Sequence, residues 1–375
     1  MQVIYDFLVP ISKAQLNDDE GYSDGQLGLH IDVYEEELPN IDNADIVFVG
    51  ITEARGQAGI NATTNAADAI RKQLYQLYYW HTDVAMVDIG NIAVGEHLKD
   101  SYAAIEETVA ALLSKQKTVV LLGGSHDCTL PQYAAYRKLK QQAEVTCIDA
   151  LIDLSLESRI PHKKFLMELL TGEPNFVSHY NHLAFQSYAA HPRMLETLDK
   201  LRFDFYRLGL VSAEINDMEP VLRNTNMLSI DMNAIKHSDA PANRNFPNGL
   251  TGMEACTLTR FAGMSKNLSS IGFYGYEPQN DRDDLTAIQI SQMIWYLIDG
   301  KSRSKMEASL EERDQFNEFH TVFAEVDTVF LQSKKTGRWW MQLPGKNFIA
   351  CSNSDYLQAS QNEIPERWLR VQERG

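Results

Sequence analysis

Residues 118–127 have the sequence TVVLLGGSHD, in which an apolar run ends in two glycines and is followed by a serine, a histidine and an aspartate. A short apolar run of this kind predicts a strand that is buried on both faces and ends at the glycines. Just upstream, SYAAIEETVAALLSKQK (101–117) has its apolar residues on one helical face. It predicts a helix that packs on the strand, an arrangement typical of an open parallel sheet.

The same alternation of apolar runs and amphipathic stretches continues on both sides of this unit. Further strands are predicted at 44–51, 144–151, 205–211, 226–232 and 268–277, and further helices at 131–142, 252–266 and 286–300. Strands that alternate with helices of this length indicate a parallel sheet. We therefore predict an α/β fold in which helices cover an open, mainly parallel sheet.

Two segments do not follow the alternation. Residues 155–200 contain three prolines and four histidines, and we interpret them as a long insertion or a set of active-site loops within a domain spanning 1–335. Residues 336–375 contain three tryptophans and predict a C-terminal extension, a hairpin or a strand plus a helix. We expect this extension to pack on the domain, and a subunit interface is the alternative.

The composition excludes several classes of protein. The chain has 375 residues with 51 Asp+Glu against 34 Lys+Arg and a net charge of −17, which argues against nucleic acid as a partner. Its four cysteines are scattered without a CxxC pair, so neither a disulfide framework nor a zinc ribbon is indicated. The N-terminus lacks a signal-peptide pattern, and no run of eighteen apolar residues occurs. We predict a soluble, cytoplasmic protein with no membrane partner.

Polar side chains follow three of the predicted strands, in the segments GGSHD (123–127), DALID (149–153) and SIDMN (229–233). Ligand sites of open α/β sheets lie outside the carboxyl ends of the strands. In extended backbone, Asp149 and Asp153 would project to the same side. One aspartate after a strand is more often a turn residue than a ligand. Three such segments together predict one metal centre.

In this order the segments resemble those of the arginase/agmatinase/formimidoylglutamase family, the ureohydrolases. The family pattern is GGDHS, DAHxD, SxDxDxxDPxxxP, GGLxxxE and ExNP. The counterparts here are GGSHD (123–127), DALID (149–153), SIDMNAIKHSDAPA (229–242), NGLTGME (248–254) and YEPQNDRDDLTAIQ (276–289). Upstream, residues 50–77 resemble the glycine-rich segment of the family, which runs into a helix. The resemblance covers about residues 40–300. It implies an arginase-like, three-layer α/β/α fold and, because family members are often trimers or hexamers, a homo-oligomer.

The resemblance also implies a metal site, which is incomplete here. Family members hold two Mn²⁺ ions that share a hydroxide, the nucleophile, between two histidines and four aspartates. The counterparts that this chain keeps are His126, Asp149, Asp153 and Asp231. Leu151 replaces the second histidine, and Asn233 replaces the fourth aspartate. Both missing ligands serve the same ion in the family. The resemblance therefore implies half of a binuclear centre, with one Mn²⁺ ion or none.

Charge balance indicates how such a half-site behaves. Three carboxylates and one divalent ion leave one negative charge, beside which deprotonating a water molecule is harder. Without an ion, three crowded carboxylates would hold protons. A hard cation, Mn²⁺ or Mg²⁺ before Zn²⁺, suits oxygen-rich ligands. The alternative is a polar pocket whose groups bond only to each other.

Two further residues are predicted to be catalytic. Glu277 matches the family glutamate that pairs with the cationic end of the substrate, and the alternative is a glutamate that faces solvent at a strand end. Asp127 occupies the serine position of GGDHS and is predicted to orient His126.

Several other polar residues are weaker candidates. His179 and His182 lie in the region where the family often has a proton-shuttling histidine, but their spacing does not align, so a surface loop is the plainer interpretation. His237 and Asp239 lie in the loop where the family has Asp-Pro and are candidates to replace a lost ligand. Arg55 and Arg71 are candidates to bind a substrate carboxylate, with salt bridges as the plainer interpretation.

Three functions are consistent with these residues. The first is hydrolysis of a C–N bond in a small cationic amidine or guanidino substrate, formimidoylglutamase-like or agmatinase-like, with at most one metal ion. The second is a catalytically inactive member of the same fold that serves as a binding or assembly protein. The third is a single-zinc hydrolase similar to the histone deacetylases. It ranks lowest because Leu151 stands where those enzymes have a histidine.

Overall fold

The predicted strands belong to one ten-stranded sheet. A computed structural model of the chain describes residues 2–17, 21–57, 63–155 and 157–374. The strands of the large sheet are β1 (Leu8–Val9), β2 (Asp32–Val33), β3 (Ile46–Ile51), β4 (Met86–Ile92), β5 (Thr118–Leu122), β6 (Ala143–Ile148), β7 (Val177–Phe185), β8 (Asp204–Arg207), β9 (Met227–Asp231) and β10 (Ser270–Tyr274). Their order is β1-β4-β3-β5-β10-β9-β6-β7-β8, with β2 paired to β4.

Parallel pairing brings the ends of the central strands together. All pairs are parallel except β1 with β4. Phe273 of β10 lies opposite Leu122 of β5 on one side and Ile230 of β9 on the other. Ile230 in turn lies opposite Ile148 of β6. The loops that follow β5, β6 and β9 therefore leave the sheet at the same edge and at the same level.

Helices cover both faces of this sheet. They are α1 (Gln2–Tyr5), α2 (Leu27–His30), α3 (Ala66–Leu74), α4 (Leu98–Ser114), α5 (Thr129–Leu139), α6 (Phe165–Thr171), α7 (Pro192–Lys200), α8 (Leu208–Ala213), α9 (Glu219–Asn224), α10 (Gly252–Gly263), α11 (Leu285–Met306), α12 (Asn353–Ser360) and α13 (Glu366–Arg374). Along β3, Ile46 and Phe48 share a core with α3, α10 and α11, whereas Val47 and Val49 share the opposite core with α4, α5 and α6. The three-layer α/β/α prediction is confirmed. None of the described helices is long and apolar enough to cross a lipid bilayer.

Residues 155–200 are not an insertion, so that prediction is wrong. They contain α6, α7 and β7, which pairs with β6 and β8 inside the main sheet. The strand β7 was not predicted because its sequence contains several polar residues. These residues form hydrogen bonds inside the protein. His182 contacts Tyr180, and Asn181 donates to Glu144 at 3.0 Å. Residues 205–211 were predicted as one strand. The strand β8 ends at Arg207, and α8 follows it.

The C-terminal part of the chain is a separate small sheet, larger than the predicted extension. We call residues 307–374 the C-terminal unit. Its four antiparallel strands are β11 (Phe316–Phe323), β12 (Val326–Ser333), β13 (Trp339–Gln342) and β14 (Phe348–Cys351). The predicted boundary at 335/336 falls between β12 and β13 and is wrong. Trp339 stacks on Tyr356 of α12 with ring centroids 4.9 Å apart, so the tryptophan-rich segment forms part of this unit's own core.

Buried arginines join the C-terminal unit to the α/β domain. Within the unit, Arg338 bonds the carboxylate of Glu307 at 2.8 Å; across to the domain, it donates to the carbonyl of Met264 at 3.0 Å and lies 3.6 Å from the carboxylate of Glu219. From the domain, Arg223 donates to the carbonyl of Trp339 at 2.7 Å, and its guanidinium lies 4.4 Å from the Trp340 ring centroid. These contacts pack the unit on its own domain. A role at a subunit interface stays a prediction.

We expect Arg338→Ala to destabilise the protein strongly. The substitution leaves the Glu307 carboxylate buried without its cation, which typically costs about 3 kcal/mol or more. The matched control is Arg202→Ala, because Arg202 pairs with Glu373 at the surface, where such pairs contribute less than about 1 kcal/mol. Urea unfolding of both variants measures the difference. Equal stabilities would contradict this account of Arg338.

Helix α13 should detach from the domain in acid. Burial favours the neutral form of Asp204, but hydrogen bonds from His179 and Arg374 hold its pKa well below the usual range. Arg370 adds a 2.6 Å contact to the same carboxylate. A depressed pKa contributes stability that is fully present above the unfolded-state value of about 3.9 and declines progressively as the pH falls from that value to the lower pKa of the folded state.

Hydrogen exchange of residues 366–374, corrected for intrinsic exchange rates, measures this detachment. We expect protection at pH 7 and its loss below about pH 4, near the unfolded-state pKa of aspartate. Asp204→Asn should already lack protection at pH 7. Full protection of that variant at neutral pH would show that Asp204 does not hold α13.

Candidate metal centre

The four predicted metal ligands lie together, with three aspartate carboxylates around one nitrogen of the His126 imidazole. His126 follows β5 in a short 3₁₀ turn and is 2% exposed, with its ring packed edge-on against Phe165. The Nδ1 atom lies 3.2 Å from Asp153 Oδ2, 3.3 Å from Asp149 Oδ2 and 3.3 Å from Asp231 Oδ2. The loops after β5 and β6 and the last residue of β9 thus supply a histidine and three carboxylates to a single buried point.

Turns, rather than extended backbone, bring the aspartates together. β6 ends at Ile148, before Asp149, so the predicted projection of residues 149 and 153 from one extended segment is wrong. Asp149 Oδ1 accepts the backbone N–H of Leu151 at 3.1 Å, and Asp231 Oδ1 accepts that of Asn233 at 2.7 Å. Aspartate commonly bonds the backbone two residues ahead in this way. Each carboxylate therefore uses one oxygen for its own turn and presents the other to His126.

A serine hydroxyl fixes the other side of the imidazole. Ser229 Oγ lies 3.1 Å from His126 Nε2 and 2.6 Å from Thr129 Oγ1, and all three groups are buried. A proton on Nε2 bonded to Ser229 leaves the lone pair of Nδ1 directed at the carboxylates. A partner of this kind typically sets the tautomer of a metal-binding histidine. Ser229 stands in the SIDMN segment, but its role could not be assigned from the sequence.

The pKa values of the cluster are shifted because one imidazole and three carboxylates lie close together in a buried site. Burial opposes ionisation of His126, but Asp231 and the other carboxylates raise the pKa of the imidazole well above its usual range. Burial raises the pKa of Asp153 to about 7 and that of Asp231 to about 8. For Asp149 burial acts in the same direction, but the hydrogen bond and charge of His126 lower its pKa overall. Without a cation, these groups share protons at neutral pH.

This donor set fits a single divalent ion. Ligand atoms of His126, Asp149 and Asp153 lie within 4.8 Å of one another. Neighbouring ligands of an ion held octahedrally at about 2.1 Å are roughly 3 Å apart, close to the spacing seen around Nδ1. One imidazole and several carboxylates suit Mn²⁺ or Mg²⁺. Leu151, which we predict to stand at the position of the second family histidine, offers no donor atom in its side chain.

Asp127 does not orient His126, contrary to the prediction for it. Its carboxylate accepts a short hydrogen bond from the hydroxyl of Tyr102, and its Oδ1 atom is buried without a hydrogen-bond partner among the described residues. The carboxylate packs against Gly56, where an added Cβ would lie 2.0 Å from it. His126 is oriented by Ser229 instead. Asp127 thus supports the loop around residue 56.

Glu277 lines a pocket beside the loop that carries His126, and side-chain amides surround its carboxylate. The pocket is lined by Gly124 and Ser125 as well as Glu277. One oxygen of the Glu277 carboxylate accepts a hydrogen bond from Gln57 Nε2 at 2.5 Å. The other oxygen accepts hydrogen bonds from Gln279 at 3.3 Å and from Asn280. Amide groups therefore contact both oxygens of this partly buried carboxylate.

The weaker histidine and aspartate candidates lie outside the cluster. His179 and His182 are buried in β7 rather than in a surface loop. His182 Nε2 contacts the carbonyl of Asp149 at 3.1 Å, and burial lowers the pKa of His182 to about 4. His237 contacts the carbonyl of Asn243, and Asp239 accepts the N–H of Gly252, so these two residues support their own loop.

The candidate arginines form salt bridges instead of facing the pocket. Arg71 is fully buried against Asp88 at 2.8 Å. Arg55 pairs with Glu53 at 2.6 Å. Residues 58–62 of the glycine-rich segment lie outside the described residues.

Comparison with known proteins decides the family. The model of the Arginase family matches residues 44–299, which contain all of the cluster. The chain belongs to the arginase family. The C-terminal unit lies beyond the match. A formimidoylglutamase from Lysinibacillus sphaericus (strain C3-41) is 24% identical over 161 residues, or 42% of this chain and 49% of that protein. The match thus spans about half of this relative.

Solved structures of arginase-family proteins share the fold at low sequence identity. The formiminoglutamase of Trypanosoma cruzi, crystallised with Mn²⁺, has a TM-score of 0.64 at 18% identity and covers 70% of this chain and 95% of its own. The formimidoylglutamase of Bacillus subtilis has a TM-score of 0.63 at 17% identity, covering 72% and 93%. A hypothetical agmatinase from Burkholderia thailandensis has a TM-score of 0.61 at 18% identity, covering 71% and 89%.

Replacing Ser229 should weaken metal binding without removing a ligand. In Ser229→Ala, His126 Nε2 loses its partner, and loss of such a group typically lowers metal affinity about tenfold or more. Ser270→Ala is the matched control, a buried serine that bonds Tyr136 and Gln132 instead. Calorimetric titration with Mn²⁺ compares the two variants. An unchanged affinity in Ser229→Ala would show that the hydroxyl does not position the imidazole.

Proposed function

We propose that this arginase-family protein holds one divalent cation, Mn²⁺, between His126, Asp149, Asp153 and Asp231, and hydrolyses a C–N bond of a small cationic amidine or guanidino compound. The observation that carries the proposal is the convergence of three buried carboxylates on one nitrogen within 3.3 Å. Such a cluster is stable either with shared protons or with a cation, and its oxygen-rich donors suit Mn²⁺.

Each side chain of the site has a part in this chemistry. The bound ion supplies a Lewis acid and lowers the pKa of a water molecule. His126 is held by Ser229 with its Nδ1 lone pair towards the carboxylates. Glu277 binds the cationic end of the substrate, because a carboxylate matches the paired N–H groups of an amidinium or guanidinium. Gln57 and Asn280 donate hydrogen bonds to the Glu277 carboxylate. When a substrate binds, these amides leave the carboxylate oxygens to the substrate or donate to the substrate's polar atoms.

The relatives support the substrate class. The curated relative is named a formimidoylglutamase, and structures with the same fold are named formiminoglutamase, formimidoylglutamase and agmatinase. We place formimidoylglutamase-like substrates first, because that name recurs in both comparisons.

Leu151 and Asn233 favour a second candidate function. With these residues at the positions of two family ligands, the site has three carboxylates for one ion, so activating water is harder than in a balanced two-ion site. The second candidate is a protein that binds an amidine or guanidino ligand at this site without turning it over. The two candidates share the metal site and Glu277 and differ only in turnover.

A substrate panel separates the candidates. The purified chain is loaded with Mn²⁺, its metal content is measured, and release of formamide from formiminoglutamate and of urea from agmatine, arginine and guanidinobutyrate is assayed. We expect one ion per chain and slow release from one substrate. The His126→Ala control should bind no ion. Binding of a panel compound without turnover would support the second candidate, and the absence of a bound ion would overturn the metal site.

Introducing the two missing family ligands should create a site for a second metal ion. We expect the double variant Leu151→His/Asn233→Asp to bind two Mn²⁺ ions per chain and to hydrolyse its substrate faster than the unmodified chain. The control is Leu151→Ala/Asn233→Ala, which should keep one ion. Circular dichroism checks that both variants fold. A folded double variant with a single ion would show that residues 151 and 233 do not correspond to the family ligands.

A further inference from the structure

Arg244 lies on the loop between α10 and β9, and β9 ends at Asp231 of the metal cluster. The residue before it, Asn243, is 3% exposed and fixes this loop. The side-chain amide of Asn243 donates to the carbonyl of Asn233 at 3.1 Å and to the carbonyl of Ile235 at 2.6 Å. The position of residue 244 is therefore set by the turn that follows the metal ligand of β9.

A second set of contacts ties the same loop to the segment that carries Glu277. The backbone N–H of Ala242 donates to Thr286 Oγ1 at 3.0 Å. The hydroxyl of Thr286 in turn donates to the carboxylate of Asp281 at 2.8 Å. Arg244 is thus held between the metal cluster and the carboxylate that we propose binds the cationic end of the substrate.

One amide group connects the guanidinium of Arg244 to the carboxylate of Glu277. Arg244 Nη1 donates to Asn280 Oδ1 at 3.2 Å, and Asn280 Nδ2 donates to Glu277 Oε2. Two hydrogen bonds and one amide group span roughly 8 Å at most. A cationic group and an anionic group therefore lie at the two ends of a short polar bridge.

No carboxylate neutralises Arg244 among the described residues. Its hydrogen bond goes to the amide of Asn280, which carries no charge. Arg55, by contrast, pairs with Glu53 at 2.6 Å. Arg244 is exposed and uses Nη1 for its contact, so Nε and Nη2 can bind a ligand. Paired N–H groups of a guanidinium match the two oxygens of a carboxylate.

The distance between the two charged groups suits a short substrate. In extended guanidinobutyrate, the terminal guanidino nitrogen and a carboxylate oxygen are roughly 9 Å apart. The side-chain carboxylate of formiminoglutamate lies the same number of bonds from its formimino nitrogen. Either compound can therefore contact Glu277 with its cationic end and Arg244 with its carboxylate.

We propose that Arg244 determines the substrate class of this site, because its guanidinium binds a carboxylate at the far end of the substrate while Glu277 binds the amidine or guanidino group. This inference rests on the function proposed above and narrows it to substrates that carry both charges. Agmatine has an ammonium group in place of the carboxylate. That group faces the positive charge of Arg244 and cannot form the paired hydrogen bonds, so the site discriminates against it.

Two compounds that differ at one end test the proposal. Guanidinobutyrate and agmatine share a guanidino group and a chain of equal length, but one ends in a carboxylate and the other in an ammonium group. Calorimetric titration of the purified chain with Mn²⁺ present, at one ionic strength, measures both affinities. We expect guanidinobutyrate to bind about tenfold or more tightly than agmatine, because only the carboxylate forms a charge-assisted pair with Arg244.

Variants of Arg244 assign the preference to this residue. Arg244→Gln should weaken guanidinobutyrate and formiminoglutamate about tenfold or more and should not weaken agmatine, because only the carboxylates lose a partner. Arg244→Lys keeps the charge and should retain part of the preference. The matched control is Arg282→Gln, because Arg282 is also exposed but pairs with Asp283 at 3.4 Å, and it should change none of these affinities.

The outcomes separate this inference from the function on which it rests. Equal affinities for guanidinobutyrate and agmatine, tighter binding of agmatine, or equal losses for all compounds in Arg244→Gln would overturn the role of Arg244 and leave the proposed function standing. An equal loss would mean that Arg244 only supports Asn280 and Glu277. If neither these compounds nor formiminoglutamate bind to the unmodified chain, the proposed function fails, and the role of Arg244 fails with it.

Discussion

The close approach of three aspartates to one imidazole is the interaction on which the site of this protein depends. Carboxylates around Nδ1 at 3.2 to 3.3 Å repel each other, and burial removes the water that would screen them. Backbone N–H groups of Leu151 and Asn233 and the hydroxyl of Ser229 hold the arrangement. These groups can meet only because β5, β6 and β9 run in parallel and end at the same level. The register of the sheet is therefore the constraint from which the metal centre follows.

Charge compensation also organises the other end of the molecule. Arg338 pairs with Glu219 of the domain, and Arg370 and Arg374 pair with Asp204 of the domain, so guanidinium–carboxylate contacts help to attach the C-terminal unit. Such pairs favour association only when both partners are held in place, because an unpaired charge in a buried contact is costly.

The sequence predicted the parts of the fold whose local pattern matches their burial. The strands at 118–122, 227–231 and 270–274 are short, largely apolar runs that are buried throughout, and each was predicted within a few residues. β7 was missed because VSHYNHLAF places polar side chains in a buried strand, where they bond to one another. β11 was missed because half of its residues are exposed, as in a loop. In both strands, tertiary partners override the local pattern.

The sequence by itself indicated the donors of the candidate metal centre and the two family ligands that we predict it lacks, because ligand types and their order along the chain are local properties. It also indicated the parallel α/β arrangement, because hydrophobic periodicity reports burial. Only the tertiary structure decided that Ser229 bonds a histidine 103 residues away, that Gln57 contacts Glu277 across 220 residues, and that Asp127 faces Tyr102. Contacts between residues so far apart depend on strand register and on how the layers pack, and neither is encoded in a short stretch of sequence.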